Sequence, residues 1–274
     1  MNLSPPVFPY PWASEWGEDR YGLWQTLTYQ GIDYAFRWIP PGSFKMGSLE
    51  VERGRYDYED LHSVTLNQGF WLGETTVTQA LWQAVMSKNP SHFKGDNRPV
   101  ETVSWDDVQI FINRLNQMHR KSQTRLPWEA EWEYACRAGS QTPFNFDGEL
   151  TLDKVNYRGT WEYKKGEWGE GALRETAVVK SYLCNAWGLY EMHGNVWEWC
   201  QDNWQEHLGQ EAVCDPWLRQ QPLVSDSARV VRGGSWSHYG RGVRSAGRSR
   251  GTPDYRDNFL GFRLALGHAE LQPG

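Results

Sequence analysis

Between about residue 140 and residue 260 this chain shows almost no regular hydrophobic periodicity, yet it is rich in tryptophan. Gly, Pro, Asn and Asp recur through that stretch, so its strands must be short and much of it must be loop laid on a rigid core. Seventeen Trp are spread over 274 residues. Each indole buries a large apolar area and brings one N–H donor, which suits an irregular fold sealed by rings. Most of these indoles are expected in the core, with a few lining a surface cleft. The fold must therefore hold long irregular segments without a ladder of regular hydrogen bonds.

The first half is more regular. Tyr34-Ala-Phe-Arg-Trp-Ile39 reads as a strand, Pro40-Pro-Gly42 as a turn and Phe44-Lys-Met-Gly-Ser48 as a short strand and loop. His62-Ser-Val-Thr-Leu66 and Phe70-Trp-Leu-Gly73 look like the two arms of a hairpin. Thr78 is placed to cap a helix through Ala80 to Met86 that ends before Asn89-Pro90. Ser104 precedes a second helix. Asp106 and Asp107 sit in its first turn, and Val108, Phe111, Ile112 and Leu115 recur at helical spacing. A third, shorter helix is predicted from Pro127 to Ala138. Residues 1 to about 30 read as an N-terminal extension outside the main fold, its start held extended by Pro5, Pro6, Pro9 and Pro11. Residues 31–274 read as one α+β domain with no internal repeat.

Composition excludes several classes. Net charge is −6 at pH 7, which argues against a general nucleic-acid binder. No run of 18 apolar residues suggests a membrane span. No basic stretch followed by an apolar run suggests a signal peptide, so a cytoplasmic location is expected. The four Cys, at 136, 184, 200 and 214, form no CxxC pair and fit no zinc spacing. They read as reduced, mostly buried thiols. The seven His (62, 92, 119, 193, 207, 238 and 268) form no HxxxH or HExxH pair. No phosphate loop and no Gly-x-Ser-x-Gly elbow appear.

Several blocks in order resemble the formylglycine-generating-enzyme (sulfatase-modifying factor) family. They are Phe44-Lys-Met-Gly-Ser48, Glu74-Thr-Thr-Val-Thr-Gln79, Pro99-Val-Glu-Thr-Val-Ser-Trp-Asp-Asp107, Arg125-Leu-Pro-Trp-Glu-Ala-Glu-Trp-Glu-Tyr-Ala135 and Trp187-Gly-Leu-Tyr-Glu-Met-His-Gly-Asn-Val-Trp-Glu-Trp199. Arg232-Gly-Gly-Ser-Trp236 and Gly261-Phe-Arg263 complete the set. The resemblance implies a C-type-lectin-like fold with little regular structure. It also implies where the chemistry would be. In the family a copper-binding cysteine pair follows the Gly-Gly-Ser-aromatic block. Here that run is Ser237-His-Tyr-Gly-Arg-Gly-Val-Arg-Ser245, and no Cys occurs from residue 215 onward. No copper site is expected, because Cu(I) selects soft thiolates. No iron site is expected either. The resemblance further implies a calcium loop at Glu191, Gly194, Val196 and Glu198, since calcium accepts carboxylates and backbone carbonyls. The competing reading is that Glu198 caps loop amides or pairs with an arginine.

The segment after Trp236 also resembles the variable region of diversity-generating-retroelement variable proteins, which share the lectin-type fold. Ser237, His238, Tyr239, Gly242, Gly247, Ser249, Gly251, Tyr255, Asp257, Asn258 and Phe259 are all reachable from Asn codons randomised at their adenines. Residues 237–259 contain no Lys, Glu, Gln, Met or Trp, types that make up roughly a quarter of the chain. Between them stand Arg241, Arg244, Arg248 and Arg250, read as structural arginines that hold loops by bidentate bonds. The expected function is a non-catalytic protein that displays a diversified site to another protein or a surface-displayed group. The alternative is a formylglycine-generating-type oxidase or related enzyme.

Overall fold

The computed structural model describes residues 3–118, 123–162, 165–219 and 227–267. His119, His268 and the last residues of the expected domain lie outside the described residues. The N-terminal half contains β1 (Glu15–Asp19), β2 (Gly22–Tyr29), β3 (Ile32–Ile39), β4 (Gly42–Met46), β5 (His62–Leu66) and β6 (Phe70–Gly73). Next come α1 (Gln79–Met86), α2 (Trp105–Met118), β7 (Thr124–Arg125) and α3 (Glu129–Arg137). The remainder holds β8 (Trp197–Asn203), β9 (Val213–Cys214), β10 (Arg229–Arg232), β11 (Arg248–Gly251), β12 (Leu260–Gly261) and β13 (Ala265–Leu266). A single turn of 3-10 helix spans Gly240–Val243.

Three sheets result: a six-stranded one ordered β1-β2-β3-β6-β13-β7, a four-stranded one ordered β11-β10-β8-β12 and a three-stranded one ordered β4-β5-β9. With three α-helices among the described residues, this is an α+β, C-type-lectin-like fold. The helix starts follow their caps. Thr78 accepts from the Leu81 N–H. Ser104 and Asp107 cap one another, the Asp107 N–H donating to Ser104 Oγ at 3.1 Å and the Ser104 N–H to Asp107 at 3.0 Å. Val108, Phe111, Ile112 and Leu115 face the core as their spacing requires.

Two expectations are corrected. His62–Leu66 and Phe70–Gly73 are not a hairpin. The first pairs with β4 in one sheet and the second with β3 and β13 in another. Both strands have the alternation or burial of paired strands, but their partners come from elsewhere in the chain. The N-terminal segment is not outside the fold. Residues 15–29 form β1 and β2 and extend the six-stranded sheet. Phe8 stacks on Trp71 at 5.6 Å, and the Trp38 indole donates to the Leu3 carbonyl at 2.8 Å.

Nine of the 17 Trp are buried, and Trp71, Trp132 and Trp199 are among the largest fully enclosed side chains. So are three arginines, Arg232, Arg244 and Arg263. Between Arg137 and Trp197 no named helix or strand occurs among the described residues. Side-chain amides hold that stretch instead. Asn156 Nδ2 donates to the Glu175 carbonyl at 2.9 Å, and Asn195 Oδ1 accepts from the Ala177 N–H at 2.8 Å.

Arg263 makes a bidentate pair with Glu198 at 2.6 and 2.7 Å and donates to the carbonyls of Gly73 and Tyr190. Arg263→Met should lower stability by about 3–5 kcal/mol, because Glu198 would be left as an unpaired buried charge. Urea denaturation at pH 7 measures this; a loss under about 1 kcal/mol would mean that Glu198 finds another partner.

Candidate functional site

Strand β10 ends at Arg232, and the chain then turns through Gly233 and Gly234, both at positive φ. A side chain at Gly234 would lie 2.4 Å from Val243 and 2.8 Å from the Gly242 carbonyl. This turn delivers Ser235 and Trp236 inward and Ser237, His238 and Tyr239 toward the surface. Residues 237–259 are then held from below by arginines. Arg244 pairs with Glu59 at 2.6 and 2.9 Å and with Glu52 at 2.6 Å. Arg248 pairs with Glu129 at 2.5 and 3.0 Å. Arg232 pairs with Glu133 and donates to the carbonyls of Ser245, Ala246 and Gly247. Arg241 lies 4.0 Å over the Tyr56 ring, and Arg250 5.2 Å over Trp204. The bidentate reading holds for Arg244 and Arg248 but not for Arg241 and Arg250, whose guanidinium groups meet only rings among the described residues, Arg250 being exposed.

His238 is half-buried. Its Nδ1 lies 2.8 Å from Ser235 Oγ, and its ring meets Trp197 and Phe259 edge to face at 5.2 and 5.3 Å. Burial pulls its pKa down to about 4, Arg158 pushing the same way and Asp257 opposing, so the imidazole is neutral at pH 7. Tyr255 is exposed and donates to Asp257 at 2.8 Å. Burial, reinforced by that carboxylate, raises the phenol to about 12. Asp257 also accepts from the Asn258 N–H, and the Asn258 carbonyl accepts from the Trp236 indole at 3.1 Å. Ser249 is half-buried on β11, and Phe259 packs against the main core.

The glycines divide into two kinds. Gly242 is buried, but a Cβ there would meet only His238, at 3.8 Å, so that position has room for a small side chain. At Gly247 a Cβ would stand 2.8 Å from the Gly242 carbonyl and 3.1 Å from that of Arg244. At Gly251 it would stand 2.7 Å from the Trp199 ring. These two positions belong to the frame rather than to a variable face, because backbone and a buried indole fill the space a side chain would need.

The same face has a wall that sequence reasoning did not find. Trp168 stacks on Trp236 with ring centroids 5.8 Å apart, and Phe93 meets Trp236 edge to face at 5.3 Å. Arg158 lies 4.4 Å over Trp168 and 5.3 Å over Tyr239, and Arg174 lies 5.3 Å over Trp168. The only available signal was a lone Trp168 inside a polar, Gly-rich loop.

The expected calcium positions do not present a free pair of carboxylates. Both oxygens of Glu198 are held by Arg263, and one also accepts from the Trp132 indole at 2.7 Å. That is the arginine-pairing alternative for Glu198. Glu191 accepts from the N–H groups of Lys180 and Tyr182 at 3.1 and 3.3 Å. Burial pushes its pKa up to about 7, against those backbone donors and Arg263. Gly194 donates its N–H to the Gly233 carbonyl, and Val196 is buried. Among the described residues, no group of three or more His, Cys, Asp or Glu could hold a metal ion. Cys136 and Cys200 are buried and their thiols pushed up, Cys136 to about 12; Cys214 is exposed, and all four Cys are free.

Fold and site together define a lectin-type α+β domain whose C-terminal segment sets half-buried and exposed side chains on a charged, buried frame. Residues 33–267 match the sulfatase-modifying factor enzyme 1-like domain, and the chain belongs to that family. It is 34% identical over 214 residues to the formylglycine-generating enzyme of Mus musculus, covering 76% of this chain and 54% of that protein. It is 34% identical over 197 residues to that of Thermomonospora curvata, covering 69% and 62% respectively. The chain thus spans little more than half the length of these relatives. Among solved structures, Treponema denticola variable protein 1 superposes with a TM-score of 0.75 at 27% identity, covering 89% of this chain and 98% of that one. PvdO from Pseudomonas aeruginosa shares the fold, with a TM-score of 0.70 at 24% identity over 93% and 98%. No helix among the described residues is long and apolar enough to cross a membrane.

Two outcomes follow. Gly247→Ser and Gly251→Ser should each destabilise by about 1–3 kcal/mol through overpacking, whereas Gly242→Ser should stay within about 0.5 kcal/mol of the parent. Equal melting temperatures for all three would contradict the division. For Glu191 the folded pKa lies above the ordinary 4.5. Its proton therefore favours the folded state fully below pH 4.5, and that contribution is lost as pH rises through 7. Glu191→Gln, which mimics the protonated acid, should be more stable than the parent at pH 8 by up to about 3 kcal/mol and equal to it near pH 4. Denaturant titrations at the two pH values decide; the opposite ranking at pH 8 would mean that Glu191 is held ionised by a cation.

Proposed function

We propose that this chain is a non-catalytic ligand-binding protein. Its site combines Ser237, His238, Tyr239, Gly242, Ser249, Tyr255, Asp257, Asn258 and Phe259 with the wall around Trp168. The ligand class is another protein or a surface-displayed group. The observation that carries this reading is the separation of roles within residues 237–259. Arg244 and Arg248 are buried and paired, Gly247 and Gly251 fill tight space, and the remaining side chains are mostly half-buried or exposed. Such a face can change composition at little cost to the fold, since exposed substitutions usually move stability by less than about 0.5 kcal/mol. Its Tyr, Ser, Gly and Asn content gives rigid aromatic area together with adaptable hydrogen bonding, the mix used by antibody loops. The likeness to a variable protein over nearly the whole chain supports the same reading. The restriction of the varied positions to Asn-codon products supports diversification. The set shrinks by the two glycines that have no room.

The second reading, a formylglycine-generating-type oxidase, is favoured by 34% identity to such enzymes. Against it stands the segment where the family's cysteines would fall. His238 and Val243 occupy that stretch, and both Cys136 and Cys200 are buried with thiols that resist ionisation. Cu(I) requires thiolates, so neither is disposed to bind it at pH 7.

Incubation with Cu(I), oxygen and a sulfatase-type cysteine peptide should give no aldehyde above a metal-free control by mass spectrometry. Aldehyde above that control would contradict the proposal. In parallel, a displayed library randomised at Ser237, Tyr239, Gly242, Tyr255 and Asp257 should yield binders to unrelated proteins with Kd at or below about 1 μM. Recovery of no binder from a well-expressed library would count against a recognition face.

A further inference from the structure

A second concavity lies behind the face, built by residues that vary in none of the schemes above. It encloses about 460 Å³ and is walled by Pro143, Phe144, Phe146, Leu150, Tyr157 and Trp161, with Arg53 at its mouth. That size is within the range of small-ligand pockets, and here the rings share the lining about evenly with polar groups from Arg53, Thr142, Asp147 and Glu149. The walls are fixed to the back of the Gly240–Val243 turn. The N–H groups of Gly240, Arg241 and Ser245 donate to the carbonyls of Thr160, Trp161 and Pro143 at 2.8, 3.2 and 2.7 Å. Phe144 and Phe146 stack at 5.3 Å with planes 11° apart, and Trp161 meets Phe144 edge to face at 6.3 Å.

We infer that this pocket binds a planar aromatic group, as a site separate from the face at 237–259. Two observations select that class. The interior is lined by four rings, which present faces and edges suited to a further ring by stacking or edge-to-face contact. The Arg53 guanidinium lies 4.5 Å over the Trp161 ring, is exposed and makes no hydrogen bond or ion pair among the described residues. An exposed guanidinium beside an indole can also take a second planar group, because guanidinium stacks on rings through both sides. Charge does not select the ligand. The rim carries Arg53 together with the exposed carboxylates of Asp147 and Glu149, while Lys154 is turned onto the carbonyls of Asp147 and Glu149 at 3.0 and 3.1 Å. A neutral ring is the common denominator.

The test uses the full chain, N-acetyl-L-tryptophanamide as the aromatic probe and N-acetyl-L-leucinamide as an apolar, non-planar control, read by calorimetry and by NMR shifts of residues 142–161. The expected result is binding of the tryptophan probe at about 1 mM or tighter, at least fivefold stronger than the leucine control. Arg53→Ala should weaken it at least fivefold with an unchanged melting temperature, since that side chain is exposed and unpaired. Arg53→Lys should not restore it, because an ammonium cannot stack. Phe146→Ala should also weaken it, with the Arg53 variants guarding against loss of fold. Equal affinity for the two probes, wild-type affinity in Arg53→Ala, or no binding of the tryptophan probe up to about 10 mM would each overturn the proposal. A variant substituted at Ser237, Tyr239 and Tyr255 should bind the probe normally, which keeps this site distinct from the face.

Discussion

Everything in this molecule rests on guanidinium groups buried against carboxylates. The loops and turns between the short strands leave carbonyl oxygens that must be satisfied once they are removed from water. Each arginine brings five donors on a rigid fork. Arg232 serves three carbonyls of residues 245–247 and Glu133. Arg248 serves the carbonyls of Tyr58, Gln205 and Glu206 as well as Glu129. Arg244 joins Gly54, its own turn at Arg241, and two glutamates. The guanidinium thus does in this fold what a ladder does in a sheet. The cost is desolvation, which an ion pair offsets only when geometry is good and the remaining hydrogens are bonded. Here most are. The same pairs keep Glu129 ionised: Arg248 and Arg232 hold its pKa down against the burial that would raise it.

This arrangement explains how one surface can be free while its backbone is fixed. The inward side chains at 232, 244 and 248 tie residues 229–251 to helix α3 and to the 52–59 loop. The outward ones at 237, 239 and 255 tie nothing comparable. On the proposed function, stability and recognition are carried by different residues of one segment. The wall formed by Phe93, Arg158, Trp168 and Arg174 borders that surface and lies outside the segment proposed to vary.

Much of the fold could be read from the chain, for physical reasons. Helices α1 and α2 carry a capping residue, and α2 adds an apolar stripe at helical spacing; both are local signals. The pairing of β5 and β6 is not local: adjacency in sequence suggested a hairpin, and only tertiary contacts with β4, β9, β3 and β13 place the strands in different sheets. Strand β1, Glu15–Asp19, is almost wholly exposed and so lacks the apolar alternation that announces a strand. The site was half legible. Its C-terminal segment stood out by composition, whereas Phe93 and Trp168 meet Trp236 from more than 60 residues away. The roles of Gly247 and Gly251 were hidden for a further reason, since a sequence cannot distinguish a glycine that happens to be small from one that must be. Glu198 likewise reads as a metal ligand or an arginine partner until Arg263 is seen beside it.

The central claim is that residues 237–259 form a fixed backbone bearing replaceable side chains. The most direct measurement is the crystal structure and melting temperature of a protein changed simultaneously at Ser237, Tyr239, Gly242, Tyr255 and Asp257. The account predicts backbone atoms of 229–263 superposing on the parent within about 1 Å, as in pre-organised binding surfaces, and a melting temperature within a few degrees. A rearranged loop, or a loss of stability as large as that from breaking the Arg244–Glu59 pair, would contradict it.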